Sequence, residues 1–116
     1  MDKVLIDTSA WIEFFRKKDP YYGIVMELLD NDRICCIGIV LAELLQGAKS
    51  EKELNTLKDF LYVFEFLPDS VTAWQNAGEL SYAMQRKGKA IGLSDCYISI
   101  LAKSGEVKIL TLDRHF

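Results

Sequence analysis

Short apolar runs alternate along the chain with longer segments in which apolar residues recur at every third or fourth position. The apolar runs predict buried strands at residues 3–6, 33–37, 63–67 and 107–112. The segments between them predict amphipathic helices at residues 9–18, 21–31, 39–48, 50–63, 70–87 and 94–104. Strand and helix patterns therefore alternate through the whole sequence.

Start and stop signals support several of these boundaries. Ser50, followed three residues later by Glu53, forms a capping-box pattern at the start of the fourth helix. Gly47, Gly88 and Gly105 end the third, fifth and sixth helical segments, as glycine commonly does. In the fifth helix the spacing predicts a buried face that consists of Val71, Trp74, Ala77, Leu80 and Met84.

Strands that are separated by helices are joined by crossover connections, and such connections link parallel strands of one sheet. The sequence therefore predicts an α/β fold in which helices cover both faces of a parallel sheet. A chain of 116 residues has the usual size of one domain. We expect residues 1–116 to form a single domain.

Composition narrows the class of protein. Half of the residues are hydrophobic and 27% are charged, which is typical of a globular chain without disordered stretches. Cys35, Cys36 and Cys96 form no CxxC pair and are expected to be reduced core residues. No signal pattern is present at the N-terminus, and no apolar run reaches the roughly 20 residues of a membrane span. We therefore expect a soluble, cytoplasmic protein with no membrane partner.

Acidic residues occupy the positions at which a parallel sheet binds ligands. Asp7 ends the first strand run, and Asp113 directly follows the last one. Asp95 falls in the first turn of the sixth helix, and Glu43 interrupts the apolar stretch of the third. Because ligands bind at the carboxyl ends of parallel strands, we expect these four carboxylates to meet in one crevice.

Each acid also has an ordinary structural interpretation when it is taken alone. Asp7 can cap the first helix, Asp95 can complement a helix dipole, Glu43 can reach solvent and Asp113 can close a turn. These alternatives stay open for each single residue. Two carboxylates about 4 Å apart, however, repel by roughly 4 kcal/mol at an effective dielectric constant of 20. Convergence of all four therefore predicts a bound cation.

Ligands that are all oxygen atoms favour the hard ions Mg²⁺ and Mn²⁺. Such an ion lowers the pKa of a bound water and stabilises charge on a phosphodiester during in-line displacement, which predicts hydrolysis of nucleic acid. His115 is the only histidine, so a metal-free mechanism with paired imidazoles is excluded. His115 itself is a lesser candidate for a metal or phosphate contact.

The net charge of -3 argues against a protein that coats nucleic acid by charge alone. Without the four acids the net charge of the chain would be slightly positive. Basic residues are also clustered in the sequence. The candidates for contact with substrate phosphates are Arg16, Lys17, Arg86, Lys87, Lys89 and Arg114. The alternative for most of them is a set of helix C-terminal charges that complement the helix dipole.

Four segments in this order, VLIDTSAWI, LAELLQGA, GLSDCYIS and ILTLDRHF, resemble the motifs of PIN domains, and especially of the small VapC-type toxins. The likeness extends from Val4 to Phe116. It implies a PIN-like three-layer fold with a central parallel sheet of four to five strands. It also implies an acidic metal-binding cluster of Asp7, Glu43, Asp95 and Asp113. Hydroxyls that support the carboxylates or the metal-bound water are implied at Thr8, Ser9 and Thr111.

The resemblance further implies an activity and partners. Such domains are Mg²⁺- or Mn²⁺-dependent endoribonucleases that act on tRNA, ribosomal RNA or messenger RNA, usually as homodimers. A cognate antitoxin, whose tail enters the acidic groove, silences them. The helix that follows Asp95 reads CYISILA where relatives favour smaller residues, so Cys96 or Tyr97 is expected to alter packing without touching the chemistry.

Two other interpretations fit part of the sequence. A phosphoacceptor receiver module has a similar size and a related sheet, but it needs an acidic pair after the first strand and a lysine after a late one. Here Asp7 stands alone and Lys108 lies within its strand. A PIN domain that binds RNA or a protein without cutting would lack one of the acids, and all four are present.

Overall fold

The computed structural model describes residues 2–113 as ten elements in an order that alternates strands with helices. The strands are β1 (Val4–Ile6), β2 (Ile34–Cys36), β3 (Glu65–Phe66) and β4 (Lys108–Leu110). The helices are α1 (Thr8–Phe15), α2 (Tyr21–Asp30), α3 (Gly38–Gln46), α4 (Glu51–Leu61), α5 (Val71–Arg86) and α6 (Leu93–Ser104). Each predicted strand and helix is therefore confirmed.

The four strands form one parallel sheet in the order β3-β2-β1-β4. The chain moves in one direction from β1 to β2 and β3, and then crosses back to place β4 on the other side of β1. Because such crossovers are right-handed, α1–α4 cover one face of the sheet and α5 and α6 cover the other. This arrangement confirms the predicted three-layer α/β fold.

The core lies on both sides of the two central strands. Val4, Leu5 and Ile6 are all buried, although successive residues of a strand point to opposite faces. The adjacent Cys35 and Cys36 are buried in the same way on β2. Burial at every position requires helices on both faces, which explains why these strands are apolar runs without alternation.

An aromatic cluster holds α1 against α4. The fully buried Trp11 ring lies between 5.6 and 5.8 Å, centroid to centroid, from the rings of Phe14, Phe15, Phe60 and Phe64. Aromatic pairs of this kind contribute about 0.5–1.5 kcal/mol each beyond the area that they bury. The cluster fixes the direction in which α1 leaves the end of β1.

Local signals set the helix boundaries as predicted. The Ser50 hydroxyl accepts a hydrogen bond from the Glu53 N–H at 3.0 Å and caps α4, and Ser70 caps α5 through the Ala73 N–H at 3.0 Å. Gly88 has a φ of 78°, in the left-handed region that glycine adopts without steric cost, and α5 ends just before it.

The predicted buried face of α5 is wrong in part. Val71 is 85% exposed and Trp74 is 40% exposed, whereas Ala77 is fully buried. The buried side is centred on Ala73 and Ala77 because α5 packs closely against α6, and small residues allow the two helices to approach. Val71 points away from this contact and Trp74 lies at its border, and the apolar spacing alone did not distinguish the two faces.

The cysteines are free thiols in the core, as predicted. Burial is the main cause that raises the pKa of Cys35 to about 11 and that of Cys36 to about 12, and the negative charge of Glu65 adds to the shift at Cys35. Within residues 2–113, none of the helices combines the length and the apolar character that a bilayer crossing requires.

Removal of a central core side chain should cost far more stability than removal of an exposed one. Leu5→Ala leaves a cavity in the middle of β1, so we expect the free energy of unfolding to fall by about 2–5 kcal/mol in urea titration. Val71→Ala, on the exposed side of α5, should change it by less than about 0.5 kcal/mol. Equal losses for the two variants would contradict the described core.

Candidate metal centre

The candidate site lies at the carboxyl edge of the sheet, where β1 and β4 end side by side. The connections from β1 lead to β2 and then to β3 on one side. The connection from β3 leads back past β1 to β4 on the other side, so the strand order reverses between β1 and β4. Such a reversal opens a crevice in which α/β proteins bind ligands. The Asp7 N–H donates to the Leu110 carbonyl at 2.9 Å and holds the two strand ends together.

Asp7 is the buried anion at the centre of this crevice, with 5% of its surface exposed. Its Oδ1 accepts a hydrogen bond from the Thr8 N–H at 2.8 Å and caps α1. Its Oδ2 accepts one from the Thr111 hydroxyl at 2.7 Å. Asp7 is therefore the helix cap that the structural interpretation predicted, and it also joins the start of α1 to the segment that follows β4.

The Thr111 hydroxyl has all of its hydrogen-bonding capacity in use. It donates its single hydrogen to Asp7 and accepts the Asp113 N–H at 2.9 Å. Ser9 Oγ lies 3.3 Å away and therefore donates to Thr111, while it accepts the Leu112 N–H at 3.0 Å. This network fixes the backbone between β4 and Asp113 against the first turn of α1.

Glu43 reaches the same edge from α3, the helix that follows β2. The Thr8 hydroxyl donates to Glu43 Oε1 at 3.0 Å, so Thr8 contacts Asp7 through its N–H and Glu43 through its side chain. Glu43 is half-buried at this position. One residue therefore sets the spacing between two carboxylates that are 36 positions apart in the sequence.

Asp95 and Asp113 lie at this edge as well. The half-buried Asp113 is tied to Asp7 through Thr111. Asp95 lies in the first turn of α6, whose 12 residues extend about 18 Å and lead into the amino end of β4, so its start is at the carboxyl edge. Hydrogen bonds thus connect three of the predicted acids, and the fold brings the fourth to the same edge.

The donor set fits a hard divalent ion. Within residues 2–113, the salt bridges join Lys3 to Asp32 and Glu65, and none of them neutralises the buried Asp7 carboxylate. The same described range contains no closed group of three His, Cys, Asp or Glu side chains around one point, so the carboxylates form an open arrangement. Mg²⁺ suits such an open arrangement, since it binds through one or two carboxylates and retains several waters.

A groove extends from Glu43 between α1, α3 and α4. Its volume is about 610 Å³, and its floor is largely apolar. The lining includes Ile12, Phe15, Leu44, Leu57 and Phe60, and its charged members are Arg16, Glu43, Lys49 and Glu53. Ile12 and Phe15 keep more than a third of their surface exposed there, which is unusual for large apolar residues that flank a carboxylate.

The predicted basic residues are divided among several places. Arg16 is the C-cap of α1 and lines the groove together with Glu43, and Lys17 follows it with a φ of 55°. Arg86 ends α5 and Lys87 is its C-cap, in agreement with the helix-dipole interpretation, and the Lys89 N–H donates to the Met84 carbonyl. Arg114 and His115 lie outside the described residues.

Asp69 is an acid at this edge that the sequence interpretation missed. It follows β3, and its carboxylate accepts a hydrogen bond from the Tyr97 hydroxyl of α6. A Cβ added at Gly38 would lie 3.6 Å from Asp69 Oδ2, so this carboxylate is beside the start of α3. The signal was available, because Asp69 follows a strand run as Asp7 and Asp113 do.

Loss of the Thr111 hydroxyl should leave Asp7 Oδ2 buried without a donor. We expect Thr111→Val, which keeps the shape of the side chain, to lower the free energy of unfolding by about 1–3 kcal/mol in metal-free urea titration. Thr72→Val, at an exposed position of α5, should change it by less than about 0.5 kcal/mol. A neutral effect of Thr111→Val would contradict the described network.

Comparison with known proteins assigns the chain to one family. Residues 4–116 match the model of the PIN domain. The VapC ribonuclease Mb1587 of Mycobacterium bovis is 30% identical and aligns over 97% of this chain and 88% of its own length. Ribonuclease VapC2 of Rickettsia felis is also 30% identical, over 92% of this chain and 84% of that protein.

Solved structures agree with these sequence matches. A VapBC2 complex from Rickettsia felis, bound to a promoter DNA fragment, has a TM-score of 0.76 at 27% identity and covers 95% of this chain and 86% of the matched one. A DNA-bound VapBC complex from Salmonella typhimurium has a TM-score of 0.77 at 29% identity, with 96% and 86% covered. This chain therefore belongs to the PIN domain family, within which its relatives of nearly equal length are VapC ribonucleases.

Proposed function

We propose that this chain is a metal-dependent endoribonuclease and the toxin of a toxin–antitoxin pair. The observation that carries the proposal is the buried Asp7 carboxylate, which Thr8 links to Glu43 and Thr111 links to Asp113. The relatives named VapC ribonuclease support an RNA substrate. That this RNA is tRNA, ribosomal RNA or messenger RNA stays a prediction from the resemblance. The receiver-module interpretation is wrong, because the chain matches the PIN domain model.

The proposed metal ligands are Asp7, Glu43, Asp95 and Asp113, and the proposed ion is Mg²⁺ or Mn²⁺. Such an ion, when bound, supplies an acidified water and neutralises charge on the scissile phosphate. The residues of the chain supply the geometry. Thr8 and Thr111 each donate to one oxygen of Asp7, so the carboxylate cannot rotate and is held ready before the ion or the RNA arrives.

Substrate contacts are proposed on both sides of this crevice. Arg16 lines the same groove as Glu43, and a guanidinium group can bind an RNA phosphate through two hydrogen bonds. Arg86, Lys87 and Lys89 offer further cations at the end of α5, and Arg114 stays a prediction. A single nuclease domain, a homodimer and a cytoplasmic location also stay predictions from the sequence and its resemblance.

The groove between α1, α3 and α4 is the proposed binding site of the antitoxin. Related chains are found in VapBC complexes, so a protein partner is expected here as well. The apolar floor suits the apolar face of a bound peptide segment, and Glu43 at its end suits a cationic side chain of that segment. A segment seated in this way would cover the approach to Asp7 and block RNA.

Neutralising Asp7 should abolish RNA cleavage without unfolding the protein. We expect Asp7→Asn, which keeps an N-cap oxygen, to slow cleavage of total cellular RNA by roughly 100-fold or more in Mg²⁺ or Mn²⁺. The chelator EDTA should stop the wild-type reaction, and added Mn²⁺ should restore it. Far-UV circular dichroism should stay unchanged.

The matched control is Asp30→Asn. Asp30 is exposed at the end of α2, at the opposite edge of the sheet, so its variant should cleave RNA at the wild-type rate. Cleavage by Asp7→Asn at the wild-type rate would refute the proposed centre. An RNA that stays intact with every protein and ion would instead favour the PIN domain that binds without cutting.

A charge in the groove should separate antitoxin binding from catalysis. Ile12→Lys should weaken the complex with the antitoxin, the product of the adjacent small reading frame, by at least about tenfold in calorimetry while RNA cleavage continues. Ile24→Lys is the matched control, because Ile12 is 38% exposed and Ile24 is 40% exposed outside the groove. Tight binding by Ile12→Lys would place the antitoxin elsewhere.

A further inference from the structure

Trp74 of α5 lies flat on Tyr97 of α6, and the outer part of its indole is open to solvent. The two rings are nearly parallel, with 8° between their planes and 3.6 Å between their centroids. Tyr97 is fully buried, whereas Trp74 keeps 40% of its surface exposed. An indole that is covered on one face and exposed elsewhere offers a flat surface on which another aromatic ring can stack.

Tyr97, the ring on which this indole lies, is itself held in place by a hydrogen bond. The Tyr97 hydroxyl donates to Asp69, which lies 28 positions away in the sequence, after β3. Tyr97 therefore does more than fill space in the core, because it holds a second ring at the surface.

The stacked pair lies at the same edge of the sheet as the candidate metal centre. Asp69, the anchor of Tyr97, follows β3 at the carboxyl edge where Asp7 follows β1. Trp74 lies near the start of α5, the helix that begins directly after Asp69 and Ser70. Tyr97 comes two residues after Asp95, so these two side chains point to opposite sides of α6. A polynucleotide that runs along this edge from the carboxylates would therefore reach the indole.

The exposed side of α5 carries groups that suit a nucleic acid strand. Tyr82 is 59% exposed, and the Arg86 guanidinium lies 4.9 Å from the centre of its ring. Lys87 and Lys89 follow, and Glu79 is the only acid between residues 70 and 92, although the whole chain is acidic. Aromatic rings interleaved with cations are typical of surfaces that bind single-stranded RNA.

We propose that the exposed face of Trp74 stacks on a nucleobase of the RNA substrate, in a nucleotide close to the cleaved phosphodiester. The inference rests on the proposed ribonuclease function and adds a subsite to it. Every base has an aromatic face, so the subsite binds an unpaired nucleotide without strong preference for its identity. Because the indole is already held by Tyr97, little conformational freedom is lost on binding.

The test is an RNA-binding titration monitored by tryptophan fluorescence. The chain has two tryptophans, and Trp11 is fully buried, so a change on binding reports on Trp74. The protein carries Asp7→Asn in all samples to prevent cleavage, and the probe is an unstructured oligoribonucleotide of mixed sequence. We expect saturable quenching, and a loss of affinity of at least about fivefold when Trp74→Ala is added.

Two further variants keep the result interpretable. Trp74→Leu preserves an apolar contact with Tyr97 but has no aromatic face, so it should lose affinity as Trp74→Ala does even if the alanine variant folds poorly. Tyr62→Ala removes an 83% exposed ring that lies before β3, at the opposite edge of the sheet, and should leave RNA affinity unchanged. In proteins with Asp7 intact, Trp74→Leu should raise KM more than it lowers kcat.

Three outcomes of the binding experiments would overturn the stacking subsite. The first is an unchanged RNA affinity in both Trp74 variants, and the second is a loss of RNA affinity in Tyr62→Ala as large as in those variants. The third is a tryptophan fluorescence change that depends on protein concentration in the absence of RNA, which would mean that a second copy of the chain covers the indole. Failure of the ribonuclease proposal is distinguishable, because RNA would then stay intact with wild-type protein and metal whatever the titration gives. Cleavage with a wild-type KM in Trp74→Leu would refute the subsite alone.

Discussion

The arrangement of this molecule depends on a buried carboxylate that bonds in two directions. Asp7 ends the central strand, caps α1 with one oxygen and receives the Thr111 hydroxyl on the other. A buried charge without a cationic partner is costly, and these hydrogen bonds offset only part of that cost. Among residues 2–113 no salt bridge reaches Asp7, so a backbone N–H and one hydroxyl hold this anion in place, and the proposed divalent ion would supply a positive charge.

Thr8 and Thr111 tie the acidic residues of this edge to one another. Thr8 donates its backbone N–H to Asp7 and its hydroxyl to Glu43. The Thr111 hydroxyl donates to Asp7 and accepts the backbone N–H of Asp113. These hydrogen bonds orient the Asp7 carboxylate. Ser9 completes the network by donating to Thr111. The three hydroxyl residues that the resemblance pointed to therefore join segments that are far apart in the sequence.

The two helical layers contribute differently to this edge. On one face, the aromatic cluster around Trp11 fixes α1 and α4, and the groove beside Glu43 lies between these helices and α3. On the other face, the contact of α5 with α6 uses Ala73 and Ala77, which leaves Trp74 free to lie over Tyr97 at the surface. The proposed protein partner and the proposed base-stacking subsite therefore lie on opposite sides of the same carboxylates.

The sequence by itself determined the order of the elements, because the apolar runs, the serine caps and the glycine stops act over a few residues. It also singled out Asp7, Glu43, Asp95 and Asp113 as candidates, because they stand at strand ends, in the first turn of a helix or inside an apolar helix; their role as ligands stays a prediction. Only the tertiary structure decided which side of α5 is buried and how Thr8, Thr111 and Tyr97 connect distant segments. Those features depend on contacts between residues as far as 104 positions apart, such as Thr111 and Asp7, and no local pattern encodes such a distance.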